Sequence, residues 1–268
     1  FETHSTKIQS LCDNAGKPFY VFNLDYLRNH IQSLKSALPE FIDLYYATKA
    51  NPMLSFLKVI QSEGLGVDIA STGELAQAKL ANFSSEKMLA TGPAKSKIYL
   101  ETLVESEIKL IVIESENQLI WLNEIASTKN ITQDILLRVQ LDWEEMEGDS
   151  VLGGQSITPF GLSDSDWLKV DLKKLKNLNV LGLHLFQWGN ITSSELLMSI
   201  WENVALRLSD LASKLEINFE VLDLGGGLGI SYSDDDVITI SKLSECLSGI
   251  KEKYKLKSII LEIGRFIS

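Results

Sequence analysis

Lys49 closes the apolar stretch Tyr45-Tyr46-Ala47-Thr48-Lys49-Ala50-Asn51. A lysine that ends an apolar strand at a barrel mouth is partly desolvated, which lowers its pKa and makes its amine a usable nucleophile. The same lysine could simply run its alkyl stem along the rim and leave its charge in water. Further on, Leu222-Asp223-Leu224 runs into Gly225-Gly226-Gly227. Three glycines strip the side chains from a turn, so that several backbone N–H groups can converge on an anion, or so that a strand can turn tightly into a helix. The run is not a dinucleotide fingerprint, because Ile230 stands where the third glycine of that pattern belongs. Arg265, in Glu262-Ile263-Gly264-Arg265, could clamp the same anion from the other side. A nucleophilic amine opposite an anion cradle is what pyridoxal 5'-phosphate requires, held as a Schiff base at its aldehyde and by its phosphate at the far end.

Such groups must be carried by regular elements, and the chain supplies them. Short apolar, β-branched runs near 42–48, 66–70, 87–91, 109–113, 134–139, 180–184, 219–224 and 258–262 alternate with helical periods over 24–38, 53–63, 72–81, 95–104, 115–127, 194–215 and 240–254. Ser71-Thr72-Gly73-Glu74 resembles a capping box at one helix start. Eight strands alternating with helices predict a TIM (β/α)8 barrel, an α/β fold whose chemistry gathers at the C-terminal strand ends. That rule, applied along the sequence, selects Lys49 after the first strand, Asp68 on the second, Arg138 on the fifth and His184 on the sixth. It then selects Gly225, Gly226 and Gly227 after the seventh, and Glu262 with Arg265 at the eighth. His184 reads equally well as a satisfied core histidine.

Two segments break the rhythm. Between Leu141 and Trp167 an acidic stretch with Asp142, Glu144, Glu145, Glu147 and Asp149 leads into Gly153-Gly154 and Thr158-Pro159-Phe160-Gly161, too long for an ordinary connection. It is either an active-site loop or a surface excursion. Pro18-Phe19-Tyr20-Val21-Phe22 reads as an extra strand without a partner in an eight-strand count. Residues 1–22 are therefore expected to pair with a second domain, and 23–268 to form the barrel.

Composition narrows the function. Of 268 residues, 45% are hydrophobic and 23% charged, ordinary values that exclude a disordered or disulfide-stapled chain. Subtracting 36 acidic from 25 basic side chains leaves −11, which repels nucleic acid and anionic membranes. The weak basic cluster Lys251, Lys253, Lys255 and Lys257 is interrupted by Glu252. Cys12 and Cys246 stand far apart, without metal-ligand or disulfide spacing, so a reducing cytoplasm is expected. No apolar run approaches the ~18 residues of a membrane span, and no secretory layout opens the chain. It begins at Phe1, and Leu261-Glu-Ile-Gly-Arg-Phe-Ile-Ser268 reads as a strand and loop cut in mid-fold, so more sequence is expected to follow.

Seven motifs in register carry a resemblance. They are Tyr46-Ala47-x-Lys49-Ala50-Asn51, Gly66-Val67-Asp68-x-x-Ser71-x-Gly73-Glu74-Leu75, Gly92-Pro93-x-Lys95, Phe160-Gly161, Gly182-Leu183-His184, Asp223-x-Gly225-Gly226-Gly227-x-Gly229 and Glu262-x-Gly264-Arg265. From Pro18 onward the chain resembles the alanine-racemase-like, fold-type-III decarboxylases of ornithine, arginine and diaminopimelate. The resemblance implies that Lys49 forms the Schiff base, that Gly225, Gly226, Gly227 and Arg265 hold the phosphate, and that Gly264 belongs to the cofactor-binding set. It also implies that Glu262 pairs with the pyridine nitrogen, and that Asp68, Glu74, Arg138 and His184 lie near the cofactor. An acid opposite the nitrogen favours decarboxylation of an amino acid, since the racemases of the fold place an arginine there. A homodimer is implied too, with a C-terminal β-domain supplying a catalytic Cys, an acidic specificity residue and a Tyr.

The chain departs from the pattern in the stretch His184-Leu185-Phe186-Gln187-Trp188-Gly189-Asn190. Phe186 stands where a histidine usually stacks on the cofactor, and the loop is one residue longer, leaving open whether Gly189 or Asn190 reaches the phosphate. None of the β-domain groups lies within these residues, and Cys12 and Cys246 are expected to be structural. The leading expectation is a pyridoxal-phosphate-dependent decarboxylase of a basic or diaminopimelate-like amino acid, feeding polyamine or secondary-metabolite synthesis. An amino-acid racemase and a non-catalytic cofactor- or partner-binding relative are its rivals.

Overall fold

The computed structural model describes residues 5–142, 158–232 and 238–268. Eight strands close into a parallel barrel: β1 (Ile42–Ala47), β2 (Gly66–Ile69), β3 (Met88–Ala90), β4 (Leu110–Ile113), β5 (Gln133–Gln140), β7 (Leu178–His184), β8 (Val221–Asp223) and β9 (Ser258–Ile263). Each pairs with the next in this order, and β9 returns to β1. A two-residue strand, β6 (Leu162–Ser163), joins the outer end of β5. The barrel expected from the alternating pattern is the observed architecture.

The helices fall where the 3.6-residue period puts them. They are α2 (Leu24–Ala37), α3 (Leu54–Ser62), α4 (Thr72–Leu80), α5 (Lys97–Glu105), α6 (Glu116–Lys129), α8 (Ser194–Lys214) and α9 (Ile240–Tyr254). Side-chain caps fix several starts: Asn23, Ser71, Ser96, Ser115 and Ser193 each accept from a backbone N–H of the first turn. The Ser71 box is closed one residue further back than usual, because Glu74 accepts from the N–H of Ala70 at 2.6 Å. Two helices were not expected, α1 (Ser5–Ala15) and the four-residue α7 (Asp164–Trp167). The expected strand at 18–22 is not one here. Those residues join no sheet among the described residues, and Phe19, Tyr20, Val21 and Phe22 are exposed. Most of the anomalous acidic segment, including Glu144 to Gly154, lies outside the described residues.

Alternation along each strand sorts the apolar side chains into two cores. One lies between strands and helices, and includes Tyr46, Val67, Ile111, Leu137 and Leu261. The other fills the barrel with Tyr45, Leu89, Val112, Leu136, Val221 and Ile260. At β2 the floor position is Gly66, where a side chain would meet the Tyr45 ring at 2.5 Å. Strand β7 carries an extra residue, since its pairing with β5 jumps from Ile135–Val180 to Leu136–Gly182, and Leu181 packs into the interior. Gly182 lies so close to β8 that a methyl group there would overlap the Val221 carbonyl. Gly182→Ala is expected to lower stability by about 1–3 kcal/mol, as overpacking of a closed interior does, and urea unfolding checks it.

Candidate functional site

Two residues beyond the apolar floor the interior turns polar. Gly66 is followed by Asp68, Leu89 by Thr91, Val112 by Glu114, Leu136 by Arg138, Val221 by Asp223 and Ile260 by Glu262, and all six polar side chains are buried. The period of two puts each pair on one face of its strand. His184, at the end of β7, completes the layer, and Lys49 follows Ala47 at the end of β1.

Above this layer opens a cavity of about 520 Å³. Lys49, Phe186, Gly226, Gly227, Glu262, Gly264 and Arg265 line it, so seven of the expected site residues meet on one wall. Asp68, Arg138, His184 and Gly225 do not line it. Lys49 is exposed to the cavity, its ammonium 5.5 Å from the centre of the Phe186 ring. That ring lies over the triglycine turn, where a side chain at Gly225 would come within 2.6 Å of the Phe186 Cβ. Gly225 has φ +61, which a side chain would strain as well. At Gly226 a methyl group would meet the carbonyl oxygen of Glu262 at 2.5 Å. The turn is tied to the segment after β7, with the Ile191 N–H donating to Gly227 at 2.9 Å and the Gly229 N–H to Ile191 at 2.8 Å. Gly189 and Asn190 both line the cavity, but the Asn190 side-chain oxygen accepts from the N–H of Ile230. Arg265 donates to the Tyr232 hydroxyl at 2.8 Å.

The buried layer is a mesh of opposed charges. Arg138 donates to Glu114 at 3.1 Å and to the Phe186 carbonyl at 3.4 Å, while the Phe160 ring covers its guanidinium at 4.6 Å. Trp167, on the unexpected α7, donates from its indole to the Arg138 carbonyl at 2.8 Å. Lys95 lies fully enclosed, donating to the Gly92 carbonyl with Glu114 3.8 Å away, and burial pulls its pKa down to about 8 despite Glu114. Asp68 accepts from the Thr91 hydroxyl at 2.6 Å, and burial raises its carboxyl although Lys49 opposes the shift. His184 is no satisfied core histidine, for neither ring nitrogen has a hydrogen-bond partner. Its Nε2 stands 3.4 Å from Glu262, and burial with Arg138 nearby pushes its pKa well down, so the contact is with a neutral ring and not an ion pair. Sequence reasoning gave no role to Thr91, Lys95, Glu114 or Asp223. The two-residue step from floor to polar layer marks three of them, but Lys95 follows β3 by a turn and leaves no such signal.

With this geometry in view, the relatives agree on one class. The family described as pyridoxal-dependent decarboxylase, pyridoxal binding domain, matches residues 24–268, and the chain belongs to that family. It is 31% identical to the diaminopimelate decarboxylase of Aquifex aeolicus over 97% of this chain and 62% of that protein. It is 28% identical to the L-glutamyl-[BtrI acyl-carrier protein] decarboxylase of Niallia circulans, over 97% of this chain and 63% of that one. The structure of diaminopimelate decarboxylase from Helicobacter pylori complexed with L-lysine superposes with a TM-score of 0.84 at 25% identity, over 97% of this chain and 66% of that one. The chain thus spans less than two thirds of the curated relatives' length.

Proposed function

We propose that the complete protein is a pyridoxal 5'-phosphate-dependent α-decarboxylase of an amino acid. The observation that carries the reading is the buried carboxyl of Glu262 in the wall of a cavity that also receives the Lys49 amine. Two features support the fit of the cofactor. Glu262 lines the cavity with an otherwise buried carboxyl, placed to meet a ring N–H there. The triglycine turn forms a cradle that side chains would fill, beside an arginine whose second amino group is available to an anion.

When bound, the cofactor's ring accepts the electron pair left behind as a carboxylate departs. The residues of this chain do the rest. Lys49 would hold the aldehyde end through its amine. Phe186 presents an apolar face beside it. Gly226, Gly227, Gly264 and Arg265 would hold the phosphate; Gly225, expected to share in this, lies off the cavity with its N–H given to Asp223 and shapes the turn instead, and Glu262 would keep a proton on the ring nitrogen. Asp68, Arg138 and His184 act from beneath by setting the field and the shape of the wall.

The substrate in this reading is a basic or diaminopimelate-like amino acid, feeding polyamine or secondary-metabolite synthesis. Relatives named for diaminopimelate support that class. A cytoplasmic homodimer is part of the reading, and among the described residues no helix is long and apolar enough to cross a membrane. Residues 1–22 pair, in this proposal, with a β-domain outside these 268 residues, and the exposed Phe19–Phe22 run supports it. The test is to supply the complete protein with single L-amino acids and follow carbon dioxide and product chirality. Carbon dioxide with an amine product is expected. Inversion without carbon dioxide would establish the racemase, and cofactor binding with neither would establish the non-catalytic relative.

A further inference from the structure

Asp223 and Glu262 sit on neighbouring strands, β8 and β9, both facing inward just above the apolar floor. A carboxyl oxygen of each and a ring nitrogen of His184 all lie within 4.8 Å of one another. Asp223 Oδ1 accepts from the Gly225 N–H at 2.8 Å, but its Oδ2 has no donor, and neither has Glu262 Oε1. Two ionised carboxylates in a closed space can only repel, whereas one proton between them satisfies both oxygens.

The surrounding groups do not supply that proton's charge in another way. Arg138 is engaged by Glu114 and the Phe186 carbonyl, Lys95 by Gly92 and Glu114, and Asp68 by Thr91. Lys49 faces the cavity from β1, and His184 is neutral. We propose that Asp223 is a positioning residue, sharing one proton with Glu262 so that a single hydrogen bond fixes the Glu262 carboxyl in the cavity wall. Burial, with Asp68 adding repulsion, lifts Asp223 to about 7, and burial together with Asp223 lifts Glu262 well above the usual carboxylate range. The consequence for catalysis rests on the reading of Glu262 as the partner of the cofactor's ring nitrogen. Asp223 would hold that partner in one rotamer.

The experiment uses the complete protein freed of cofactor, with Asp223→Asn and Glu262→Gln as variants. Asn at 223 keeps an oxygen for the Gly225 N–H. In either variant the remaining carboxyl gains an amide donor and is expected to ionise. Infrared difference spectra, taken in an Asp68→Asn background so that Asp68 gives no band of its own, should show a protonated-carboxyl band that persists above the ordinary carboxylate range and is lost only at neutral or higher pH, and both variants should lack it. The linkage has a definite sign. Between the ordinary carboxylate range and about pH 7 the folded state holds a proton that the unfolded state has lost, so stability falls as pH rises through that window. Asp223→Asn escapes this loss, and its melting temperature should gain on the wild type from about pH 5 to about pH 8. An Asp68→Asn protein without the band overturns the proposal, as does a band that survives in either variant. So does a band that emerges only after chelation, which would place a metal ion among the three groups. The band together with a wild type that binds no pyridoxal phosphate would refute the cofactor reading and leave the shared proton standing.

Discussion

Lys49→Ala is expected to leave a folded protein that forms no borohydride-stable adduct with pyridoxal phosphate and releases almost no carbon dioxide. The side chain is exposed to the cavity and its noted contact is the face of Phe186, so its loss creates no buried void and little destabilisation follows. A fall of about 10³-fold or more in kcat corresponds to about 4 kcal/mol of barrier. The nearby alternative amine, Lys95, cannot stand in, because it is enclosed beneath the cavity and held by Gly92 and Glu114. Mass spectrometry of the trapped, digested protein decides the matter, and label recovered on Lys95 in the variant would show that the wrong strand end has been chosen.

Glu262→Gln is expected to retain cofactor but turn over about 10²–10³-fold more slowly, as lost electrostatic stabilisation in a closed site commonly does. The amide has nearly the same shape, so the wall stays intact. What it lacks is a negative charge to keep a ring nitrogen protonated while negative charge builds on the ring. Single-turnover rates of carbon dioxide release, measured alongside the cofactor's absorbance, separate the two effects. Unchanged turnover with tight cofactor binding would remove Glu262 from the chemistry and reopen the racemase reading.

The barrel was legible because its strands are buried on both faces and its helices on one, so apolar runs and 3.6-residue periods alternate without ambiguity. What escaped was short or weakly patterned. Helix α1 carries Ile8, Leu11 and Cys12 on an otherwise polar surface, too little to mark a buried face, and Leu11 is indeed exposed. Strand β6 and helix α7 together span six residues, less than two turns of any period. At the site, strand-end reasoning found the groups that reach the cavity. It also found Asp68, Arg138 and His184 in the layer beneath, but passed over Glu114 and Thr91, which pair with Arg138, Lys95 and Asp68 and stand in no motif themselves. Phe186 illustrates the reverse case, since its departure from the family was visible in sequence while its seat over the glycine turn was not.

The two-residue interval between floor and polar layer has a consequence for how such a chain can change. On each of six strands, one position secures the barrel and the next inward one meets the chemistry, with an outward-facing residue between them that belongs to the helix shell. Folding and reactivity are thus written in separate letters of the same word. A substitution at Thr91 or Asp223 alters the electrostatics beneath the cavity while Leu89 and Val221 stay packed below, whereas loss of Glu114 would also strand the buried charges of Arg138 and Lys95. Lineages of this barrel can therefore explore new reactions by small steps at the upper positions while the lower ones preserve the scaffold.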